Sequence, residues 1–338
     1  MQFKYLKTRQ ENETLWAEIV NPPLNFLTAD ILAELFDLVR NVEKDDTIRV
    51  FVLTGGIDDT YIMHFSIPEL RQIIPDNRRM LLNVAVRFRL TRLLVKLYLD
   101  GNAWLMDRSR WYERWQLRQA RLLRGYASVM FLWMQMMRTY HAIERLNKVT
   151  IAAVNGPCNG GGTELSMCFD FRFMIAGRGF TIGQPESLIG IIPGGGGTQR
   201  LPRLVGRAKA LEMMLTGKQL TPEEAKTIGL ITDCFGKEDF PDKVQAFADA
   251  MSRRPPVAVA AIKQAVLCGL DTTPGRGMNI EMIQSVRCFD TRDAEMAMAA
   301  YSAYLDRQVN LPPDKRPAPE EIVDTLQNAR IFEKFQGR

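Results

Sequence analysis

Apolar residues recur along this chain with two spacings, every second position or every third to fourth, and the switches between them mark out its elements. Leu15, Ala17 and Ile19 alternate with polar neighbours and run into Asn21-Pro22-Pro23, which predicts a strand within residues 1–20 stopped by a turn. Residues 24–27 lead into a helix capped by Thr28, with Ile31, Leu32, Leu35, Leu38 and Val39 on one face. A second strand is predicted at 50–53, ending at Thr54-Gly55-Gly56, and a third at 149–154, ending at Asn155-Gly156-Pro157. A helical pattern then starts inside Gly160-Gly161-Gly162. Alternation across Phe171, Phe173 and Ile175, with turns at Gly177 and Gly179, predicts a further strand or two before Gly183. Thr221-Pro222-Glu223-Glu224 is a helix start with a cap and proline at its first position. Arg253-Arg254-Pro255-Pro256 is the best boundary, and beyond it the pattern is helical through 258–267 and 278–303.

Residues 76–148 interrupt this order. They mix arginine with Leu, Trp and Met and hold 15 Lys or Arg against 5 Asp or Glu, a net of +10 in a chain whose total is +5. Gly101 predicts a break between two helices, and Trp104, Trp111 and Trp115, seven and four apart, fall on one helical face. Two readings stand: amphipathic helices packed on the protein or across a subunit interface with arginine stems over the apolar side, or a docking surface for an acidic partner or an anionic membrane. No nucleic-acid-binding motif accompanies the charge, so nucleic acid is not an expected partner.

A 338-residue chain that is 46% hydrophobic and 25% charged is long enough for a sizeable core, in one large or two ordinary domains. With neither a signal-peptide pattern nor an apolar run of membrane-spanning length, a cytoplasmic protein is expected. Five cysteines without CxxC spacing suggest neither a disulfide framework nor a zinc site. His64 and His141 are the only histidines, which rules out an imidazole-rich metal centre, and there is no GxSxG elbow for a serine hydrolase. Gly194 to Gly197 lacks the lysine of a phosphate loop. Any chemistry therefore falls to carboxylates.

Two are tied to glycine turns. Glu164 sits on the first turn of the helix that opens in Gly160-Gly161-Gly162, where unpaired N–H groups favour negative charge. Glu186 follows Gly183-Gln184-Pro185, and the intervening strands can return it beside Glu164. Two carboxylates facing backbone donors make an acid/base site with an oxyanion hole; two solvated surface glutamates fit the same spacing.

The segments AAVNGPCNGGGTELSMCFDFR, FTIGQPESLIGIIPGGGGTQRLPRLVG and ALEMMLTGKQLTPEEAKTIGLITDCF together resemble the signature of the crotonase (enoyl-CoA hydratase/isomerase) superfamily, closely over 148–235 and more weakly on both sides. That resemblance implies an α/β fold, a crotonase (ClpP-like) spiral of repeated ββα units. Its core would be residues 1–254, with the basic helical insertion at about 76–140, and 255–338 would be a helical region packing on the core or on a neighbouring subunit. It also implies a homo-oligomer, a trimer or dimer of trimers. YIMHFSIPEL stands where the family carries FCAGADLKEL, so Phe65 would pair its N–H with that of Gly161 as the oxyanion hole. Here Met63-His64-Phe65-Ser66 replaces the usual Ala-Gly-Ala-Asp and narrows the acyl entrance. Leu24, Met63, His64, Ile67 and Gly194 would line the substrate.

The implied activity is that of a hydro-lyase on a 2-enoyl-CoA thioester. Glu164 would take a proton from water, Glu186 would deliver one to the α-carbon, and no metal or redox cofactor would be required, coenzyme A entering only as part of the substrate. The alternatives are a carbon–carbon bond hydrolase or lyase, or an enoyl-CoA isomerase, of the same superfamily. From another class comes a non-catalytic acyl-CoA-binding or scaffold paralogue whose pocket the insertion has overgrown.

Overall fold

The computed structural model describes residues 3–79, 89–109, 111–112, 115, 118, 128–177 and 179–337. The N-terminal alternation folds as two strands rather than one. β1 (Leu6–Glu11) and β2 (Thr14–Ile19) pair antiparallel with Leu6 opposite Ile19, turned at Asn12, whose φ is 53°. Asparagine tolerates that left-handed conformation. Next come α1 (Ala29–Lys44), with the Thr28 hydroxyl accepting from Ile31 N–H, and β3 (Val50–Gly55). α2 (Ile67–Arg79), α3 (Arg89–Arg108) and α4 (Ser128–Glu144) precede β4 (Val149–Val154). β5 (Cys158–Asn159), α5 (Gly161–Ser166), β6 (Phe171–Ile175) and β7 (Ile182–Gly183) follow, then α6 (Gly197–Val205), α7 (Arg207–Thr216) and β8 (Gln219–Leu220). The chain continues with α8 (Pro222–Thr227), β9 (Asp233–Phe235) and α9 (Phe240–Ser252). It finishes with α10 (Pro256–Leu270), α11 (Pro274–Phe289), α12 (Arg292–Val309) and α13 (Pro319–Gln327).

The main sheet has the order β1-β2-β3-β4-β6-β9, parallel except for its first pair, and a small sheet β5-β7-β8 stands beside it. β3 and β4 are buried along their whole length, as parallel strands covered on both faces must be. Phe51 and Leu53 face the larger core with Ile31, Leu32 and Leu35 of α1 and Tyr140 and Ile143 of α4. Val50, Val52 and Ile151 face the smaller one, closed by Phe240, Val244 and Ala248 of α9. Asn155 clasps Gly55 from the next strand end: Gly55 N–H donates to Oδ1 at 3.0 Å, and Nδ2 donates to Gly55 O at 2.8 Å.

α10 is tied to the core by Lys263, whose Nζ donates to Asp170 Oδ2 at 2.6 Å and to Lys148 O at 2.8 Å. α11 packs on α10 but buries none of its residues, leaving Met278, Met282, Ile283, Val286 and Phe289 exposed. The stretch predicted as helical from 278 to 303 is broken at Asp290 and Thr291, where the Thr291 hydroxyl accepts from Ala294 N–H and starts α12.

The basic stretch differs from expectation. Gly101 lies inside α3, not at a break; a Cβ there would meet nothing within 4 Å, so its small helix penalty is not coupled to any packing. α3 ends at Arg108, so Trp104 and Trp111 do not share a continuous helix, although the rings of Trp111 and Trp115 stack at 6.5 Å. α4, at the end of the stretch, is a core helix through Leu132, Met136, Tyr140 and Ile143. No helix among the described residues is long and apolar enough to cross a membrane.

Candidate active site

The site is assembled by the small sheet. β5 and β7 pair in parallel with Cys158 opposite Ile182 and Asn159 opposite Gly183, so the turn after each strand leaves from the same edge. Thr163 locks the two together, its hydroxyl lying 2.7 Å from Cys158 O and 2.8 Å from Gly183 O, while Gly160 N–H donates to Gly183 O at 2.9 Å. Gly160, with φ 51° and ψ −119°, turns the chain into α5 and presents Glu164 on its first turn. That backbone conformation is one side chains rarely adopt, which is why the turn needs glycine, and a Cβ there would also come within 2.9 Å of Glu186 Oε1. Beyond β7, Glu186 starts a short 3-10 helix, Glu186–Ile189. The two carboxylates predicted from spacing are thus brought together, and both are buried, at 3% and 9% exposure, which excludes the solvated-surface alternative.

Glu164 is held from the other side. Its Oε1 accepts from Gly195 N–H at 2.7 Å and Gly197 N–H at 2.8 Å, at the entry of α6. Burial pushes its carboxyl up to about 7 against the opposing pull of those two N–H groups and of Arg200. Arg200 in turn donates to Gly195 O at 3.0 Å and makes a two-pronged pair with Glu144, with Nη2–Oε2 at 3.0 Å. Glu186 is also pushed up to about 7, by burial first and by the charge of Glu164 second. The buried Gln184 amide, oriented to satisfy its neighbours, donates to both Glu186 oxygens at 2.8 and 3.0 Å. Two buried carboxyls that repel each other favour a state with one proton between them, which is what a paired acid and base require.

The loop before α2 faces this pair. Leu27 N–H donates to His64 O at 3.0 Å, Ser66 N–H to Leu27 O at 2.8 Å and Asn159 N–H to Met63 O at 3.2 Å, which pins residues 63–66 against β5. Among the described residues, neither Phe65 N–H nor Gly161 N–H has an acceptor, and a Cβ built on Gly161 would lie 3.4 Å from Phe65 N and 3.1 Å from Phe65 Cβ. Two free donors therefore lie on neighbouring segments, and a side chain at Gly161 would press on Phe65. His64 Nδ1 lies 2.7 Å from Phe65 O, so that nitrogen carries the proton, and the ring packs on Phe26 at 4.8 Å. The ring thereby forms a wall beside the loop. Leu24 accepts from Met63 N–H through its carbonyl, and Ile67 opens α2. Gly194 is exposed and does not hold Glu164; Gly195 and Gly197 do. Those two, with Gln184 and Arg200, are the site residues that spacing alone missed. The run Gly194-Gly195-Gly196-Gly197 was a visible signal, but not which amides turn inward.

A cavity of 740 Å³ lies elsewhere, between α4, α6 and α10; it reaches the glycine loop at Gly196, and neither Glu164 nor Glu186 lines it.

The family model described as enoyl-CoA hydratase/isomerase matches residues 118–308. Crotonyl-CoA hydratase of Syntrophomonas wolfei is 40% identical over 294 residues, covering 86% of this chain and 93% of that protein. The putative enoyl-CoA hydratase/isomerase YngF of Bacillus subtilis is 40% identical over 164 residues, 48% of this chain, and the match spans 62% of its own length. Among solved structures, the enoyl-CoA hydratase from Bacillus anthracis superimposes with a TM-score of 0.69 at 22% identity, over 89% of this chain and 97% of that one. A likeness at that identity establishes the shared α/β crotonase architecture.

Proposed function

The chain belongs to the enoyl-CoA hydratase/isomerase family of the crotonase superfamily, and on that premise we propose that it hydrates a 2-enoyl-CoA thioester to the 3-hydroxyacyl thioester. The observation that carries this reading is the pair of buried carboxyls, Glu164 and Glu186, both raised to about 7. Addition of water across the double bond needs one base for the water and one acid for the α-carbon, whereas moving a double bond needs a single carboxylate to shuttle one proton. The thioester carbonyl is taken to lie between Phe65 N–H and Gly161 N–H, whose free donors would hold the oxygen as negative charge develops on it. Glu164, fixed by Gly195 and Gly197, takes a proton from the incoming water, whose oxygen bonds to the β-carbon. Glu186 gives its proton to the α-carbon as the enolate collapses, so the pair ends with its proton transferred from one carboxyl to the other and solvent exchange resets it.

For assembly, we adopt the family's trimer or dimer of trimers, supported by the uncovered apolar face of α11. The direct test is loss of crotonyl-CoA absorbance in water. Glu164→Gln and Glu186→Gln should each lower kcat by about a hundredfold or more, with unchanged circular dichroism. Retention of full hydration by either variant would refute the two-carboxyl mechanism. Production of a shifted double bond in place of the hydroxy product would move the assignment to an isomerase.

A further inference from the structure

α3 carries a stripe of exposed apolar side chains. Leu90, Leu93, Leu94, Leu97, Tyr98 and Leu105 recur at three- and four-residue spacing, the pattern that ordinarily faces a core. Their exposures are 70%, 53%, 58%, 58%, 55% and 37%, while the polar Asn102 is buried and its Oδ1 accepts from Tyr112 O–H at 2.9 Å. Arg92 and Lys96 are exposed beside the stripe, and beyond the helix the stacked rings of Trp111 and Trp115 are also exposed, at 70% and 43%. In sequence, residues 87–124 hold 10 Lys or Arg against 3 Asp or Glu, a net of +7.

We propose that this face seats the protein on an anionic phospholipid surface. A bilayer interface offers the two chemistries the face displays: an acyl region for the leucines and negative headgroups for the flanking cations, with Tyr and Trp suited to the boundary between them. A second copy of this chain is the poorer occupant, because a two-fold contact would set the same excess of positive charge against itself. α3 rests on the surface and does not traverse it, since no described helix is long and apolar enough to do so. The inference concerns a surface remote in sequence from the carboxyl pair and stands whether or not the chain is a hydratase.

The test is flotation of the purified full-length chain with vesicles of phosphatidylcholine alone or with about 30% phosphatidylglycerol, at roughly 0.05 and 0.5 M salt. The expected result is at least about tenfold more protein with the anionic vesicles at low salt, a clear drop at high salt, and a blue shift of tryptophan emission on binding. Leu93→Glu with Leu97→Glu should reduce flotation about tenfold or more, leaving oligomer mass, thermal melting and crotonyl-CoA turnover as in the parent. Lys96→Glu, which leaves the leucines in place, should weaken binding to anionic vesicles and remove part of its salt dependence. Failure of the parent to float on anionic vesicles overturns the proposal, as does equal flotation of the leucine variant. A change of oligomer mass in that variant would assign the face to a second copy, and retention by an acidic protein without vesicle binding would assign it to a protein partner.

Discussion

At the scale of single residues, Glu164 carries a stability signature as well as a chemical one. Its carboxyl is raised from the ordinary 4.5 to about 7 in the folded state, so the fold binds its proton more tightly than the unfolded chain does. Stability from this group is complete below about 4.5 and is lost as pH rises through 7. Glu164→Gln removes that loss, so its melting temperature should gain on the parent between pH 4.5 and pH 8, by an amount equivalent to at most about 3 kcal/mol. A gain in the opposite pH direction would mean that Glu164 is held ionised. Gly161 is constrained by space: a methyl group there would sit 3.1 Å from Phe65 Cβ and 3.4 Å from Phe65 N. Gly161→Ala should therefore lower kcat/KM for crotonyl-CoA by roughly ten- to a hundredfold, with a fall in urea stability of about 1 kcal/mol from the tight contact with Phe65. Glu164 and Glu186 drew attention as carboxylates tied to glycine turns, and both are buried, whereas the pairing of Phe65 with Gly161 was implied by the family resemblance and not by spacing. Gln184, Gly195 and Gly197 were not legible, since their part depends on which way an amide turns in three dimensions, and glycine spacing carries no record of it.

Among elements, the helices and parallel strands were the easiest to read. Thr28 and Thr221 cap α1 and α8 as their sequences indicate, the second through a full capping box with Glu224. β3 and β4 stand out as short β-branched and apolar runs, interrupted only by Thr54 and Thr150, because both their faces are covered. The β1–β2 hairpin was less visible, for β1 reads LKTRQE and buries only Leu6, so no alternation announces it. α3 misled for a related reason: Gly101 costs a helix about 1 kcal/mol, which is not enough to stop one whose other turns are rich in Leu, Arg, Lys and Met. The join between core and C-terminal helices rests on Asp170, which receives Lys263 Nζ at 2.6 Å and Thr150 N–H at 2.8 Å. Burial holds the Lys263 amine below its usual range even with Asp170 beside it. Asp170→Ala would leave a buried ammonium unpaired and should cost about 3 kcal/mol by urea denaturation. Asp170→Ala with Lys263→Met should recover part of that loss, as expected when an uncompensated charge is the cause.

For the molecule as a whole, α11 and the insertion present two apolar faces with different expected fates. Met278, Met282, Ile283, Val286 and Phe289 form an uncovered face without the concentrated positive charge of the insertion, which suits contact between identical subunits. Light scattering should give the mass of a trimer or hexamer, and Met282→Glu with Phe289→Glu should shift it towards monomer; a monomeric parent would contradict the proposed assembly. The clasp between Gly55 and Asn155, residues 100 apart in sequence, has a further consequence for how such a chain acquires its site. Everything between them is one long loop whose ends are fixed in adjacent strands, and the entropy of closing a loop grows only with the logarithm of its length. Halving it would return only about 0.6 kcal/mol. A segment of this size can thus be accommodated between the two donors, Phe65 and Gly161, at little thermodynamic cost. The burden falls instead on folding speed, because β3 must find β4 across the whole intervening chain before either half of the site has a partner.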